Sequence, residues 1–208
     1  MDNGKWIVYS TVLAAGDYPS HEVPLQVLAN AECVVCCDSA AERYLAEGHV
    51  PDAIVGDGDS LSAKLKECYA AIWHPETEQD TNDLSKAIRY LMSQGKHQIA
   101  IVGATGKRED HTLGNISLLI EYMRMGLDVQ MYTDYGVFIP CHDNQSFTLS
   151  VGQQVSLISF GATAFHAEGL KYPLYDFTNW WQGTLNEAVS ERVIIHADGD
   201  YLLYLPYV

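Results

Sequence analysis

The feature of this sequence that most restricts its fold is the alternation of strand-like and helix-like segments along its first two-thirds. Short apolar runs alternate with segments whose apolar residues recur at helical spacing. This alternation predicts a parallel sheet wrapped by crossover helices. The predicted strands are 6–13, 33–37, 53–55, 98–102 and 128–133, and the predicted helices are 24–31, 40–46, one capped by Thr81 or Asp80, and one through 116–123.

The last third of the chain has a different pattern. Short strand-like runs, such as 155–159 and 201–205, are separated by turn residues, and no segment of helical length competes with them. Runs of this kind predict a small antiparallel sandwich or roll. We therefore expect an α/β protein with two domains, a parallel α/β domain over residues 1–135 and an antiparallel β-sandwich domain over residues 136–208.

The charge and cysteine content exclude several functions. The chain has 27 Asp and Glu against 12 Lys and Arg, a formal net charge of −15. Because such a surface repels polyphosphate chains and anionic lipid heads, we expect neither a nucleic acid nor a membrane as a partner. The start of the chain is unlike a signal peptide, and the five cysteines are odd in number. Both observations favour free thiols and a cytoplasmic location.

Acidic side chains follow the predicted strands, where open parallel sheets bind ligands. The clearest case is Asp57-Gly-Asp59, directly after the strand 53–55. Two carboxylates on a glycine turn suit Mg²⁺, which keeps several waters and shares the phosphates of a substrate. An ordinary Asx turn explains the same residues. On the residues alone, both interpretations stay open.

A second acidic segment precedes an amphipathic helix. Asp80 and Asp83 stand at its start, with Lys86 one turn later. Acids in a first turn cap a helix and match its dipole, which explains either aspartate alone. Capping does not easily explain the presence of both with Lys86 one turn later, for which an i,i+3 ion pair is the alternative.

The third segment runs from Gly103 to His111, after a strand and at the start of a helix. Glycine-rich turns in this position bind phosphate through backbone amides, so the segment predicts an anion site beside Arg108 and Asp110. It matches neither the P-loop nor the dinucleotide-binding pattern. His111 is explained equally well as a packing or capping residue.

The cysteine pair and the tryptophan pair are better explained by packing than by a reactive or ligand-binding site. Cys33 and Cys36 have redox or metal spacing but lie in an apolar strand-like run, so buried thiols are favoured. Trp180 and Trp181 are interpreted as core or dimer contacts, with stacking on a planar ligand as the alternative.

Taken in order, the three acidic segments resemble those of the thiamin pyrophosphokinase family. The resemblance rests on 51–60, on Asp80-x-x-Asp83, and on Gly103-x-x-Gly-x-Arg-x-Asp-His-Thr-Leu-x-Asn115. The segment at 38–40 and the later segments 169–174 and 183–187 fit the same pattern. The resemblance covers nearly the whole chain, and the joint order of the motifs is specific.

The resemblance implies a Rossmann-like nucleotide domain, a β-sandwich thiamin domain and a homodimer with active sites at the subunit interface. It implies Mg²⁺-dependent transfer of pyrophosphate from ATP to the hydroxyethyl group of thiamin, which gives AMP and thiamin diphosphate. The implied catalytic residues are Asp57, Asp59, Asp80, Asp83 and Asp110, with Asp57, Asp59 and Asp83 as metal ligands. The residues implied to bind nucleotide or thiamin are Asp38, Ser60, Gln79, Lys86, Arg108, His111, Asn115, Thr184 and Asn186.

Two positions depart from the family pattern. Asn82 stands where Thr is common, and Leu185 stands in the place of a hydroxyl residue, which puts the hydrogen bonding to the pyrimidine ring in question. Two other functions fit the acidic segments: a pyrophosphokinase for another hydroxymethyl heterocycle such as a pterin, and a non-catalytic regulator that binds thiamin or a nucleotide. Catalysis is favoured over the regulator because binding alone needs fewer carboxylates.

Overall fold

The computed structural model describes residues 9–207. The chain divides into two compact units, the first formed by residues up to 118 with 126–134, and the second by residues 119–125 with 135 onward. Among residues 9–207, no helix combines the length and apolar character needed to cross a membrane.

The first unit has the predicted alternation of strands and helices. Its elements are β1 (Ser10–Leu13), α1 (Glu22–Ala29), β2 (Cys33–Cys37), α2 (Ala40–Ala46), β3 (Ala53–Gly56), α3 (Ala63–Cys68), β4 (Trp73–Pro75), α4 (Asp83–Ser93), β5 (Gln98–Val102), α5 (Glu109–Arg124) and β6 (Asp128–Tyr132).

The strands of this unit form a parallel sheet in the order β6-β5-β1-β2-β3-β4. The central strands are buried on both faces because their side chains alternate between two apolar layers. Leu13 and Cys36 belong to the core cluster that includes residues of α1 and α2. Val12 and Val35, which alternate with them along the strands, are equally buried. Helix α4 packs against β1, β2 and β3. The predicted parallel α/β architecture is confirmed.

Several boundaries differ from the prediction. The predicted strand 6–13 is observed from Ser10 to Leu13, and residues 6–8 lie outside the described part of the chain. Helix α1 begins at Glu22 instead of Pro24 because His21 caps it and accepts the N–H of Val23. A proline is tolerated in a first turn, where its missing N–H has no helical partner.

The second unit contains the antiparallel strands. Its elements are β7 (Gly136–His142), β8 (Gln145–Thr148), β9 (Gln154–Ser159), β10 (Thr163–Glu168), a 3₁₀ helix (Trp180–Gly183), β11 (Asn186–Glu187), β12 (Arg192–Asp198) and β13 (Asp200–Pro206).

These strands form two antiparallel sheets, β11-β9-β13-β7 and β10-β12-β8. One core cluster joins them, with Leu157 and Leu203 from the first sheet and Val193 and Ile195 from the second. The predicted antiparallel sandwich is therefore confirmed. At the start of β13, the buried Asp200 accepts the Nε–H of Arg124 at 2.6 Å, and its other oxygen lies 2.7 Å from His142 Nδ1.

All five cysteines are free. Cys36, Cys37 and Cys141 are buried, and burial raises the pKa of each thiol, to about 12 for Cys141. Cys33 is half-buried and Cys68 is exposed. The prediction of buried thiols is confirmed for Cys36 and is wrong for Cys33.

Asp134, which follows β6, fixes the start of the segment leading into α1. Its carboxylate accepts the N–H of Ser20 at 2.9 Å, the hydroxyl of Ser20 at 2.6 Å and the N–H of His21 at 3.0 Å. Burial raises the pKa of Asp134, but these hydrogen bonds outweigh it and hold the pKa below its ordinary value. The carboxylate therefore contributes stability above the unfolded pKa of about 3.9 and loses it as the pH falls through the lower folded pKa.

We expect Asp134→Ala to lower the free energy of unfolding by about 1–3 kcal/mol at pH 7, since three hydrogen bonds are lost. The difference in the free energy of unfolding between this variant and the wild type should be the same at pH 5 as at pH 7, and it should become smaller below about pH 4. Urea titrations at each pH measure it, with Glu121→Ala, at an exposed position on α5, as the control. Equal stability of Asp134→Ala and the wild type at pH 7 would contradict the prediction.

Candidate functional site

The strand order of the first unit creates a crevice beyond the carboxyl ends of its central strands. Strand β1 pairs with β2 on one side and β5 on the other, so the chain order reverses there. Ligands of open α/β sheets bind beyond the carboxyl ends of strands at such a reversal. A cleft of about 420 Å³ occupies this position, lined by the ends of the loops after β1, β3 and β5 and by the starts of α4 and α5.

The loops after β1 and β5 are held tightly together. Gly16 N–H donates to the carbonyl of Gly103 at 2.7 Å, and Asp17 N–H donates to that of Thr105 at 2.9 Å. Gly16 has no room for a side chain, because a Cβ there would lie 2.3 Å from the Thr105 oxygen. Lys107 Nζ adds a bond of 2.8 Å to the carbonyl of Ala15. The two loops therefore form one wall of the cleft.

Asp57 is compatible with both interpretations of the Gly-Asp-Gly-Asp segment, the Asx turn and the Mg²⁺ ligand. Its Oδ1 accepts the N–H of Asp59 at 2.9 Å, as in an Asx turn, and its Oδ2 accepts the amide of Gln79 at 3.3 Å. These two bonds, the Asp59 bond first, hold the pKa of Asp57 below its ordinary value. Asp57 thus forms the turn and also presents an ionised carboxylate to the cleft.

Helix α4 is capped by Asn82, so the prediction of Thr81 or Asp80 as its cap is wrong. Asn82 Oδ1 accepts the N–H of Ser85 at 2.9 Å, while the hydroxyl of Thr81 is bound by Glu78 instead. The amide of Asn82 also donates to Asn115 Oδ1 at 3.1 Å, which fixes it in the capping position.

One turn into α4, Lys86 and Asp83 form an ion pair. The side chain of Lys86 is 3% exposed, and its Nζ lies 3.1 Å from Asp83 Oδ1. A buried ammonium needs such a partner, since an unpaired charge in the interior is strongly unfavourable. The pair places one carboxylate and one ammonium at the floor of the cleft.

Asp38 lies behind the cleft and not in its lining. It is 2% exposed, and its Oδ2 accepts the N–H of Ser60 at 3.0 Å. Its Oδ1 is buried without a hydrogen-bond partner among residues 9–207. Burial raises the pKa of Asp38, the Ser60 bond lowers it, and the charges of Asp83 and Asp57 raise it further. In this position Asp38 holds the turn that carries Asp57.

Arg108 and Asp110 pair with each other at the mouth of the cleft. Arg108 Nε lies 3.1 Å from Asp110 Oδ1 and its Nη2 lies 2.5 Å from Oδ2, with both side chains largely exposed. The bond from Arg108 is the main cause that lowers the pKa of Asp110 to about 2. Arg108 lines the cleft, whereas Asp110 does not.

The cleft thus brings together some of the predicted site residues. The predicted residues that line the cleft are Asp57, Gln79, Asp83, Lys86, Arg108, His111 and Asn115. The predicted residues of the first unit outside this lining are Asp38, Asp59, Ser60, Asp80 and Asp110. Within residues 9–207, no three or more His, Cys, Asp or Glu side chains are grouped to hold a metal ion by themselves.

Sequence reasoning missed the loop after β1 and the ammonium of Lys107. Both line the cleft. The Gly16-Asp17 pair directly after a buried strand was a usable signal, as was the cation inside the glycine-rich segment. Lys107 also has a φ of 54°, a backbone conformation uncommon for a residue with a side chain.

Thr184 and Asn186 lie in the second unit. Thr184 donates its hydroxyl to the carbonyl of Trp181 at 2.7 Å. Asn186 is buried, and its carboxamide accepts the N–H of Tyr172 and donates to the carbonyl of Tyr172. Between them, Leu185 is 70% exposed and has a φ of 62°.

Comparisons with known proteins agree across the chain. Residues 25–131 match the family model described as the catalytic domain of thiamin pyrophosphokinase, and residues 136–204 match that of its substrate-binding domain. Thiamine pyrophosphokinase 2 of Arabidopsis thaliana is 35% identical over an alignment that covers 83% of this chain and 77% of the relative. Thiamine pyrophosphokinase 1 of rice (Oryza sativa subsp. japonica) is 28% identical, and the alignment covers 73% of this chain and 64% of the relative's length.

Solved structures show the same fold. The thiamine pyrophosphokinase of Bacillus subtilis superposes with a TM-score of 0.77 at 20% identity, over 96% of this chain and 99% of the other. The yeast thiamin pyrophosphokinase superposes with a TM-score of 0.76 at 17% identity, over 98% and 87%.

Proposed function

Because this chain belongs to the thiamin pyrophosphokinase family, we propose that it transfers pyrophosphate from ATP to the hydroxyethyl group of thiamin, with release of AMP. The observation that carries the proposal is the cleft at the strand-order reversal. It brings two aspartates, Asp57 and Asp83, together with the cations Lys86, Lys107 and Arg108. Pyrophosphoryl transfer requires positioning and charge stabilisation above all, and this set of side chains supplies both.

Mg²⁺ is the proposed cofactor, and the donor set fits it. Mg²⁺ is usually held by one or two carboxylates together with substrate phosphates, so a closed cage of protein ligands is not needed. We propose Asp57 and Asp83, with Asp59 on the same turn as Asp57, as the carboxylates that hold it. When bound, the ion would supply positive charge to the oxygens of the transferring group.

The remaining side chains of the cleft have distinct proposed roles. Lys107 and Arg108 bind phosphate oxygens, with Gln79, His111 and Asn115 as further nucleotide contacts. Asp38 and Ser60 position the turn of Asp57. A carboxyl with a pKa of about 2 is a weak base at neutral pH. Asp110 is therefore not assigned as the group that accepts the proton of the thiamin hydroxyl.

We propose that residues 1–135 bind the nucleotide and that residues 136–208 bind thiamin and form the homodimer. In the second unit, the segment 170–189 exposes Tyr172, Tyr175, Trp180, Trp181 and Leu185. Exposed apolar side chains in such number mark a surface that binds something. A homodimer covers such a surface, and aromatic rings suit the cationic thiazolium. Thr184 is a proposed thiamin contact, and Asn186 positions the backbone of Tyr172.

The proposed setting is the cytoplasm, without nucleic acid or membrane partners. Five free thiols and a net charge of −15 support this part of the proposal.

The test is AMP release from ATP with Mg²⁺, measured with thiamin and separately with 6-hydroxymethyl-dihydropterin. We expect turnover with thiamin and none above background with the pterin. Preference for the pterin would replace the proposed substrate. Thiamin binding in calorimetry without any AMP would show a regulator that does not catalyse.

A further inference from the structure

The turn that carries Asp57 and Asp59 is backed by two side chains that the proposed mechanism does not use. Between the two aspartates, Gly58 has a φ of 83°. A Cβ on Gly58 would lie 2.9 Å from Cζ2 of Trp73 and 3.0 Å from Nζ of Lys66. Both side chains therefore pack directly against the backbone of the turn, and neither lines the cleft.

Trp73 holds the ammonium of Lys66 in this place. Lys66 lies in the last turn of α3, and its Nζ is 5.3 Å from the centroid of the Trp73 ring. An ammonium near the face of an aromatic ring is attracted by it. Trp73 begins β4, is paired with Ile54 of β3 and packs against the core cluster of the first unit. The ammonium is thus fixed beside the turn by a residue that is itself fixed in the sheet.

No carboxylate neutralises the charge of Lys66. Within residues 9–207 it forms no salt bridge, in contrast to Lys86, which is paired with Asp83. Its charge nevertheless reaches the turn: the bond from Asp59 N–H lowers the pKa of Asp57 most, and the charge of Lys66 lowers it too. A full positive charge therefore lies close to the carboxylates that are proposed to hold Mg²⁺.

We propose that Lys66 weakens the binding of a bare divalent cation to the Asp57 turn, so that Mg²⁺ is held there mainly when it arrives with the phosphates of ATP. A divalent ion and an ammonium repel each other at short range. Polyphosphate carries enough negative charge to remove this repulsion, and Mg²⁺ is usually bound by one or two carboxylates together with substrate phosphates. The inference rests on the proposed function, since that function places Mg²⁺ at this turn.

Lys66→Met tests the inference with the ion alone. The substitution removes the ammonium and keeps an unbranched stem that can pack against Trp73. Mn²⁺ is the probe, because the free ion is measured directly by electron paramagnetic resonance. At low ionic strength and without nucleotide, we expect the Kd of Mn²⁺ to fall by about three- to tenfold. Lys66→Gln, a second removal of the charge, should give the same change. A purely structural role would raise the Kd instead, because a loosened turn holds its carboxylates less well.

The ion bound to phosphates gives the opposite expectation. Isothermal titration calorimetry measures the Kd of magnesium tripolyphosphate for the wild type and for Lys66→Met. Because this complex carries a net negative charge, we expect the Kd to stay unchanged or to rise by up to about threefold.

Two further variants serve as controls. Lys64 is exposed on the same helix, and Lys64→Met changes the net charge by the same amount. Its Kd for Mn²⁺ should stay within about 1.5-fold of the wild-type value, since solvent screens an exposed charge. Lys66→Arg keeps the positive charge and should bind Mn²⁺ like the wild type. Thermal unfolding followed by circular dichroism shows that each variant is folded.

The inference is overturned if Lys66→Met binds Mn²⁺ no more tightly than the wild type, or if Lys64→Met binds it equally tightly. Tighter binding of magnesium tripolyphosphate by Lys66→Met, or no Mn²⁺ binding by either protein, would overturn it as well. AMP formation by the wild type is measured separately with ATP, Mg²⁺ and thiamin. Normal AMP formation with an unchanged Kd of Mn²⁺ in Lys66→Met therefore rejects this inference and leaves the proposed function intact.

Discussion

Asp57→Asn is expected to lower AMP formation from ATP and thiamin by about 10²- to 10³-fold, with little change in the unfolding temperature. The substitution removes the negative charge that Asp57 presents to the cleft. It keeps a carbonyl oxygen that can still accept the N–H of Asp59, so the turn should survive. Steady-state kinetics over a range of Mg²⁺ concentrations, with thermal unfolding followed by circular dichroism, measure the two effects.

Glu67→Gln is the control for this experiment. Glu67 lies at an exposed position on α3 outside the cleft lining, and its substitution changes the net charge by the same amount. We expect turnover within twofold of the wild type. Turnover of Asp57→Asn equal to the wild type at limiting Mg²⁺ would contradict the proposed metal role.

Gly16→Ala should destabilise the first unit by about 3 kcal/mol, because one added carbon meets backbone that cannot move cheaply. The new Cβ would lie 2.3 Å from the Thr105 oxygen and 2.5 Å from the Gly103 oxygen. Relief requires the two loops to separate, and the bond from Gly16 N–H to Gly103 is then lost. We also expect a higher KM for ATP, since these loops carry Lys107. Urea unfolding and initial-rate kinetics measure both effects.

Gly114→Ala provides the opposite case. Gly114 lies within α5, and a Cβ there would meet nothing within 4 Å. Alanine is favoured over glycine inside a helix, so this variant should gain about 0.5–1 kcal/mol. A Gly16→Ala protein as stable as the wild type would show that the loops are not in close contact.

The sequence predicted the parts of the fold that local patterns encode. Apolar runs such as 33–37 and the helical spacing of α4 are local, and both fold class predictions are confirmed. The position of Asp57 at the cleft was also predictable, because a turn after a buried strand is visible in a few residues.

Features that depend on distant residues were not predictable. Gly16 and Gly103 are neighbours only because β1 and β5 pair, and no local pattern encodes that strand order. Four consecutive residues, 80–83, are all competent helix caps, and contacts from Glu78 and Asn115 decide among them. Helix α3 has no buried residue and so gave no periodic signal.

The distribution of the free thiols makes this chain convenient for spectroscopy. Maleimide reagents react with accessible thiolates, so buried cysteines are poor targets. Cys68 is the exposed thiol within residues 9–207, and it ends α3, the helix that follows the Asp57 turn. After replacement of the half-buried Cys33, a fluorophore on Cys68 would report on the neighbourhood of the cleft without any engineered cysteine.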